Sequence, residues 1–186
     1  MNKKVGLFGG SFNPPHVCHS MVCLYVLQTT EIDTILLVPC YTHALEKKLA
    51  PFPHRYEMCR LLAQSLGDCV KVSDIEAHRD GISYTIDTIL EFKTRYPENE
   101  FTLLIGSDAW TEKDKWKDFD RIREEVEILT LPRYTKSEET SFSSGYFFFP
   151  DVSSTMIREK IQRGEPIDAY VPLAVRKYIR KHNLYR

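Results

Sequence analysis

The sequence predicts a three-layer α/β sandwich: a mostly parallel sheet of five to six strands, helices on both faces, and a C-terminal helical segment. Three observations carry this. Apolar runs of strand length alternate with longer stretches of helical periodicity, the pattern of βαβ units. The run at 34–38, Thr-Ile-Leu-Leu-Val, is continuous rather than alternating, as suits a strand buried on both faces. A break at Gly9-Gly10 follows the first run directly and leads into a helical pattern.

Residues 3–8 read as the first strand, and the string Gly9-Gly10-Ser11-Phe12-Asn13-Pro14-Pro15 ends it. Residues 16–28 are helical in pattern, with Val17, Met21, Leu24, Val26 and Leu27 available for the core side. After the strand at 34–38, Pro39, Pro51 and Pro53 mark a loop, and a helix is expected over 54–66. Residues 69–73 form a short strand candidate. A helix over 83–95 carries Ile86, Ile89 and Leu90 on nearby faces, and Pro97 ends it. The fourth strand is 101–105; a charged, Trp-containing segment then leads to a fifth at 126–129. The polar stretch 135–145 precedes a last strand at 146–149. Two helices close the chain, over 154–163 and 172–182, with Pro172 suited to a first turn. No internal repeat is evident. The expectation is one domain over 1–186, with its core in 1–152 and a helical part in 153–186.

Composition narrows the function. With 42% hydrophobic and 12% aromatic residues among 186, the chain can bury a sizeable core and is not a disordered protein. The 25 Lys+Arg against 26 Asp+Glu leave a net charge of −1, which argues against a broad nucleic-acid-binding surface. Local excess remains, since residues 153–186 carry 8 basic and 3 acidic residues. The apolar stretch 5–8 is too short for a signal-peptide core, and no run approaches the roughly 18 residues that span a bilayer. A cytoplasmic protein with neither membrane nor nucleic acid as partner is expected. The five cysteines (Cys18, Cys23, Cys40, Cys59, Cys69) are odd in number and include no C-x-x-C pair. Buried free thiols, rather than a disulfide framework or a zinc site, are the expectation.

In a parallel sheet, ligands bind outside the carboxyl ends of the strands. Three loops leave such ends: 9–19, 39–48 and 106–116. All three should open on one edge.

The strongest motif lies in the first loop, Gly9-Gly10-Ser11-Phe12-Asn13-Pro14-Pro15-His16-Val17-Cys18-His19. Glycines after a strand let a phosphate approach the backbone, and the following helix N-terminus aims amides at an anion. His16 and His19, three apart, share a face of the first turn. Two imidazoles there can stabilise charge that develops in phosphoryl or nucleotidyl transfer. Near the other end, Ser153-Ser154-Thr155-Met156-Ile157-Arg158 opens a helix with hydroxyls and sets a guanidinium one turn in. Such hydroxyls can cap the amides of their own helix, and they can equally present donors to a triphosphate.

The first string resembles the G-G-S/T-F-D/N-P-x-H-x-G-H signature of the nucleotidylyltransferase superfamily that carries H-x-G-H, with Cys18 where that superfamily usually has Gly. Residues 152–158 resemble its I-S-S-T-x-I-R motif, with Val152 in the Ile place. Ser83-Tyr84-Thr85-Ile86-Asp87-Thr88, and Gly106-Ser107-Asp108-Ala109-Trp110 with Trp116 beyond it, are similar to segments of the nicotinate-nucleotide adenylyltransferases in particular. Arg55, Met58 and Leu61 match that family's R-x-x-M-x-x-L helix. The Pro-Pro pair usual in the loop before it is absent.

The resemblance implies a Rossmann-like fold and transfer of AMP from ATP to nicotinate or nicotinamide mononucleotide, releasing pyrophosphate. Mg²⁺ would come with ATP, with no dedicated protein ligand set. His16, His19, Ser154, Thr155 and Arg158 would carry catalysis. Gly9, Gly10, Ser11, Phe12, Gly106, Asp108, Arg133 and Ser153 would join them around ATP. Lys47 (in preference to Lys48), Thr85, Trp116 and Lys117 would hold the mononucleotide, with Trp116 stacking on the pyridine ring. Two alternatives stay open: another enzyme of the superfamily, such as a phosphopantetheine adenylyltransferase, and a catalytically silent nucleotide-binding protein.

Overall fold

The structure is a computed structural model in which residues 3–42, 49–107, 115–131 and 149–186 are described. Strand β1 (Lys4–Gly10) is followed by helix α1 (Val17–Thr29), β2 (Thr34–Pro39), α2 (Phe52–Gln64), β3 (Val70–Val72), a 3₁₀ turn (Ile75–His78), α3 (Thr85–Arg95), β4 (Glu100–Gly106), α4 (Phe119–Glu125), β5 (Glu127–Leu131), α5 (Ser154–Gln162) and α6 (Leu173–Lys181). The sheet is parallel throughout, in the order β3-β2-β1-β4-β5. The central strand β1 is buried from Val5 to Phe8, which explains a run with no polar alternation.

Alternate residues of the central strands feed two cores. Phe8, Ile35, Leu37 and Leu104 pack on one face with Val22, Met58, Leu62, Ile157 and Val175, from α1, α2, α5 and α6. Val5, Leu7, Leu103 and Ile105 pack on the other with Ile86, Ile89, Phe92 and Ile122, from α3 and α4. This is the three-layer sandwich expected from the alternation of elements. The C-terminal helices share the first core rather than forming one of their own.

Several local expectations change. In α1 the buried residues are Cys18, His19, Val22, Cys23 and Val26, while Leu24 is 47% exposed. Apolar residues fall on every side of this helix, so periodicity does not select a face. Helix α2 begins at Phe52, with a proline in its first turn, two residues before the sequence suggests. Helix α4 and the 3₁₀ turn have no apolar period long enough to announce them. The expected strand at 146–149 lies outside the described residues except for Phe149, which is buried beside Tyr25 with ring centroids 5.7 Å apart. Three of the five thiols, Cys18, Cys23 and Cys59, are buried as expected; Cys40 is half-buried and Cys69 is exposed. Among the described residues, no helix is long and apolar enough to cross a membrane.

Candidate active site

Because β1, β2 and β4 are parallel neighbours, the loops after Gly10, Pro39 and Gly106 leave the same edge of the sheet. The switch in strand order falls between β1 and β4, where a crevice is expected.

The first loop is built from the inside out. Phe12 adopts a left-handed φ of 44° that drops its ring into the core, in edge contact with Phe8. At 1% exposure the ring is closed to any ligand. Asn13, Pro14 and Pro15 are buried, and the Asn13-Pro14 bond is cis. Gly9 is exposed, and a Cβ built on it would meet nothing within 4 Å. At Gly10 a Cβ would meet the Phe12 ring at 3.3 Å. Gly9 thus keeps open space above the sheet edge, and Gly10 gives room to Phe12.

His16 is the N-cap of α1, and His19 occupies the third helical position. The His16 amide donates to Nδ1 of His19 at 3.0 Å, a reciprocal cap in which histidine replaces the usual acidic residue. An acceptor at Nδ1 puts the proton of the neutral His19 ring on Nε2, which becomes a donor. The rings of His16 and His19 lie 3.8 Å apart, and Phe12 covers His19 at 4.8 Å. His16 is 2% exposed and His19 8%, so both imidazoles are held in one orientation. Cys18, in the usual Gly place, donates its thiol to the Pro150 carbonyl at 3.3 Å. It also lines a small cavity with Phe8, His19, Val22, Gly106 and Leu131. A larger cleft of about 410 Å³ lies between α5 and α6, lined by Ile161, Ile167, Ile179 and Leu184, away from the histidines.

The C-terminal motif reaches this loop directly. Ser153 caps α5 by accepting the Met156 amide at 3.2 Å. Ser154 donates its hydroxyl to the Pro14 carbonyl at 2.8 Å. Arg158 donates to the Asn13 carbonyl at 2.8 Å and to the Thr155 hydroxyl at 3.1 Å. The Val17 amide, first in α1, donates to the Tyr170 carbonyl at 2.9 Å, so the segment before α6 also closes onto the histidine helix.

A second group gathers at the N-terminus of α3. Thr85 is its first residue and is half-buried. Lys117 reaches Asp87 at 3.1 Å and stands 4.7 Å above the Tyr84 ring. Trp116 is half-buried, edge-on to Phe119 at 6.0 Å. Thr42 and Ser83 join this group to the loop after β2: the Ser83 amide donates to the Thr42 carbonyl at 3.0 Å, and the Thr42 amide to the Ser83 hydroxyl at 3.3 Å. The structure therefore brings His16, His19, Ser154 and Arg158 together, and separately Thr85 and Lys117. Lys47, Asp108 and Arg133 lie outside the described residues.

The carbonyls of Asn13 and Pro14, which receive the C-terminal motif, carry no signature in the sequence, and neither does Glu76, which accepts the Tyr41 amide at 3.1 Å. Arg55 stands out in the sequence only as a motif match. A signal for Arg55 exists: with Met58, Cys59 and Leu62 it completes an i, i+3, i+4, i+7 stripe, which sets a charge on the buried face of α2. Among the described residues, no group of three or more His, Cys, Asp and Glu side chains is arranged to hold a metal ion.

Comparisons with known proteins identify the relatives of this chain. A family model described as cytidylyltransferase-like matches residues 7–160. The chain is 36% identical over 182 residues to a probable nicotinate-nucleotide adenylyltransferase of Myxococcus xanthus, covering 98% of this chain and 94% of that protein. It is 34% identical over 187 residues to the nicotinate-nucleotide adenylyltransferase of Bacillus subtilis, covering 98% of each. Among solved structures, the Plasmodium falciparum nicotinic acid mononucleotide adenylyltransferase complexed with NaAD matches with a TM-score of 0.81 at 23% identity, over 99% of this chain and 98% of that one. That likeness shows the fold; the full-length relatives show the kinship, and the chain belongs to the nicotinate-nucleotide adenylyltransferase family of cytidylyltransferase-like proteins.

Proposed function

We propose that the protein transfers AMP from ATP to nicotinate mononucleotide, forming the dinucleotide and pyrophosphate in NAD biosynthesis. The observation that carries this reading is the pair of bonds that fasten the ends of the chain together, Ser154 to Pro14 at 2.8 Å and Arg158 to Asn13 at 2.8 Å. They set a permanent cation and a helix N-terminus beside the two histidines, so that donors converge from both sides of one crevice. Family membership supplies the reaction class.

In this reading a phosphate oxygen of the mononucleotide attacks the α-phosphorus of ATP. A new P–O bond forms, the bond to the β-phosphate bridge breaks, and pyrophosphate leaves with that electron pair. The nucleophile is already ionised at neutral pH, so no dedicated base is required. Two anions meet, and catalysis is positioning plus charge neutralisation. His19, with its proton on Nε2, donates to the α-phosphate region as charge develops. Arg158, the Thr155 hydroxyl and the backbone amides opening α5, that of Ser154 among them while its hydroxyl stays on Pro14, hold the β- and γ-phosphates, and the open edge at Gly9 admits the nucleotide. Gly106, with Asp108 and Arg133, would complete the ATP side. Thr85, Trp116 and Lys117, with Lys47 from the second loop, would hold the mononucleotide, the indole under the electron-poor ring.

The donor chemistry suits magnesium as part of the substrate. The described residues offer cations, hydroxyls and imidazoles instead of a carboxylate cluster, so the ion would be held by the triphosphate itself and would neutralise charge there. The test is dinucleotide formation from ATP and nicotinate mononucleotide, with nicotinamide mononucleotide and phosphopantetheine as competing acceptors. Product with phosphopantetheine alone would replace this reading.

A further inference from the structure

Two buried charges beneath the site have no part in the mechanism above. Arg55 on α2 is 1% exposed and Glu76 in the 3₁₀ turn is 7% exposed. Arg55 makes no ion pair among the described residues. Instead its three nitrogens reach three carbonyls: Nε donates to Ala50 at 2.8 Å, Nη1 to Ser11 at 3.0 Å and Nη2 to Tyr41 at 3.4 Å. Ser11 belongs to the loop after β1. Tyr41 and Ala50 stand at the entry and the exit of the loop after β2.

Tyr41 and Ala50 are each held twice. The Tyr41 carbonyl accepts from Arg55 while its amide donates to Glu76 at 3.1 Å, so one residue is gripped by a buried cation and a buried anion. Glu76 is itself oriented by the Thr88 hydroxyl at 2.8 Å. The Ala50 carbonyl accepts from Arg55 while its amide donates to the Asn13 side chain at 3.0 Å. Cys40 and Gly10 add a backbone bond of 2.9 Å between the same two loops.

Buried charges seldom add net stability, because desolvation offsets what they gain. A planar fork with donors in fixed directions adds geometry instead. An apolar residue at this position would leave three carbonyls without a donor, and a flexible ammonium could not reproduce the angles.

We propose that Arg55 is a positioning residue for adenylyl transfer: it fixes the histidine loop against both ends of the loop after β2, with Glu76 holding Tyr41 from the other side, and so sets the distance at which the two substrates meet. The inference rests on the adenylyltransferase reading.

The experiment compares the full-length wild type with Arg55→Met, Arg55→Lys and Glu76→Gln, at a temperature where circular dichroism shows each variant folded. Measured are kcat, the KM for each substrate and the ATP dissociation constant by calorimetry. A positioning role lowers kcat of Arg55→Met by roughly 100-fold, the scale of a misplacement of about 1 Å, with the ATP dissociation constant nearly unchanged. Arg55→Lys, which keeps the charge, restores roughly tenfold of that loss, and Glu76→Gln, which keeps an acceptor for Tyr41, falls by less than Arg55→Met. An unchanged kcat per folded molecule in Arg55→Met, or equal losses in turnover and ATP binding, overturns the proposal. If Arg55→Met does not fold, an unchanged kcat in both Arg55→Lys and Glu76→Gln overturns it. A wild type that makes no dinucleotide overturns the functional reading and this inference together. An active wild type with indifferent variants overturns this inference alone.

Discussion

Arg158 donates to the carbonyl oxygen of Asn13 at 2.8 Å across 145 positions of sequence, and this bond joins the last helical pair to the first loop. Ser154 makes the neighbouring bond to Pro14. Both side chains hold one dipeptide, so their effects should be coupled. Arg158→Lys should lower kcat/KM for ATP by roughly 10- to 100-fold, the worth of one charged hydrogen bond. Adding Ser154→Ala should cost less than its effect alone. Strictly additive losses in a double-mutant cycle would show that the two bonds act separately.

The His16–His19 cap separates a structural role from a chemical one. In His19→Asn the amide oxygen can take the place of Nδ1 as acceptor for the His16 amide, but nothing replaces the Nε2 donor. That variant should keep the wild-type melting temperature and lose roughly 100- to 1,000-fold in kcat. His19→Gln, which reaches the Nε2 position without serving the cap, should lose about 1 kcal/mol of stability and retain more turnover than Asn. Thermal unfolding with steady-state kinetics checks both; the reverse order would exchange the roles of the two nitrogens.

Two adjacent glycines should respond in opposite ways. A methyl at Gly9 meets nothing within 4 Å, whereas one at Gly10 meets Phe12 at 3.3 Å. Gly9→Ala should leave stability unchanged and raise the KM for ATP. Gly10→Ala should destabilise by about 1–3 kcal/mol through overpacking. Denaturant titration and ATP saturation curves distinguish them.

Trp116→Ala should raise the KM for the mononucleotide by up to about tenfold, the scale of one aromatic stacking contact, with the KM for ATP nearly unchanged. If ATP binding alone suffers, the pyridine ring lies elsewhere.

Burial pushes the Cys23 thiol up to about 12 and raises Cys59 well above its ordinary value. Iodoacetamide at pH 8 should therefore modify exposed Cys69 first and leave Cys23 and Cys59 intact until the protein unfolds. Below the ordinary thiol pKa of about 8.5, both folded and unfolded chains keep the proton and stability does not change. Above it the unfolded chain ionises first, and stability falls as pH rises toward the folded-state values. Mass spectrometry of natively alkylated protein, and chemical denaturation at pH 8 and 10, test the two halves of this statement.

The centre of the sheet was legible because β1, β2 and β4 are largely apolar runs ended by Gly or Pro, a pattern that both-face burial imposes. The histidine loop and the Ser154–Arg158 segment stood out because they set residue types suited to anions at fixed spacing, and the structure brings the two segments together. What joins them was not legible. The carbonyls of Asn13 and Pro14 carry no side-chain signature, and the face of α1 was hidden by a helix apolar on every side. Glu76 sits in a single 3₁₀ turn with no period to betray its burial. Arg55 could have been found, since a charge inside an apolar stripe marks either a misread helix or a buried cation with work to do.

AMP transfer is tested by incubating the protein with ATP, Mg²⁺ and nicotinate mononucleotide while following pyrophosphate release and the dinucleotide together by chromatography. Both products should appear in equal amounts, dependent on the mononucleotide and strongly reduced in His19→Asn. ATP binding with neither product, for either pyridine mononucleotide, would contradict it and leave a nucleotide-binding protein that does not catalyse the transfer.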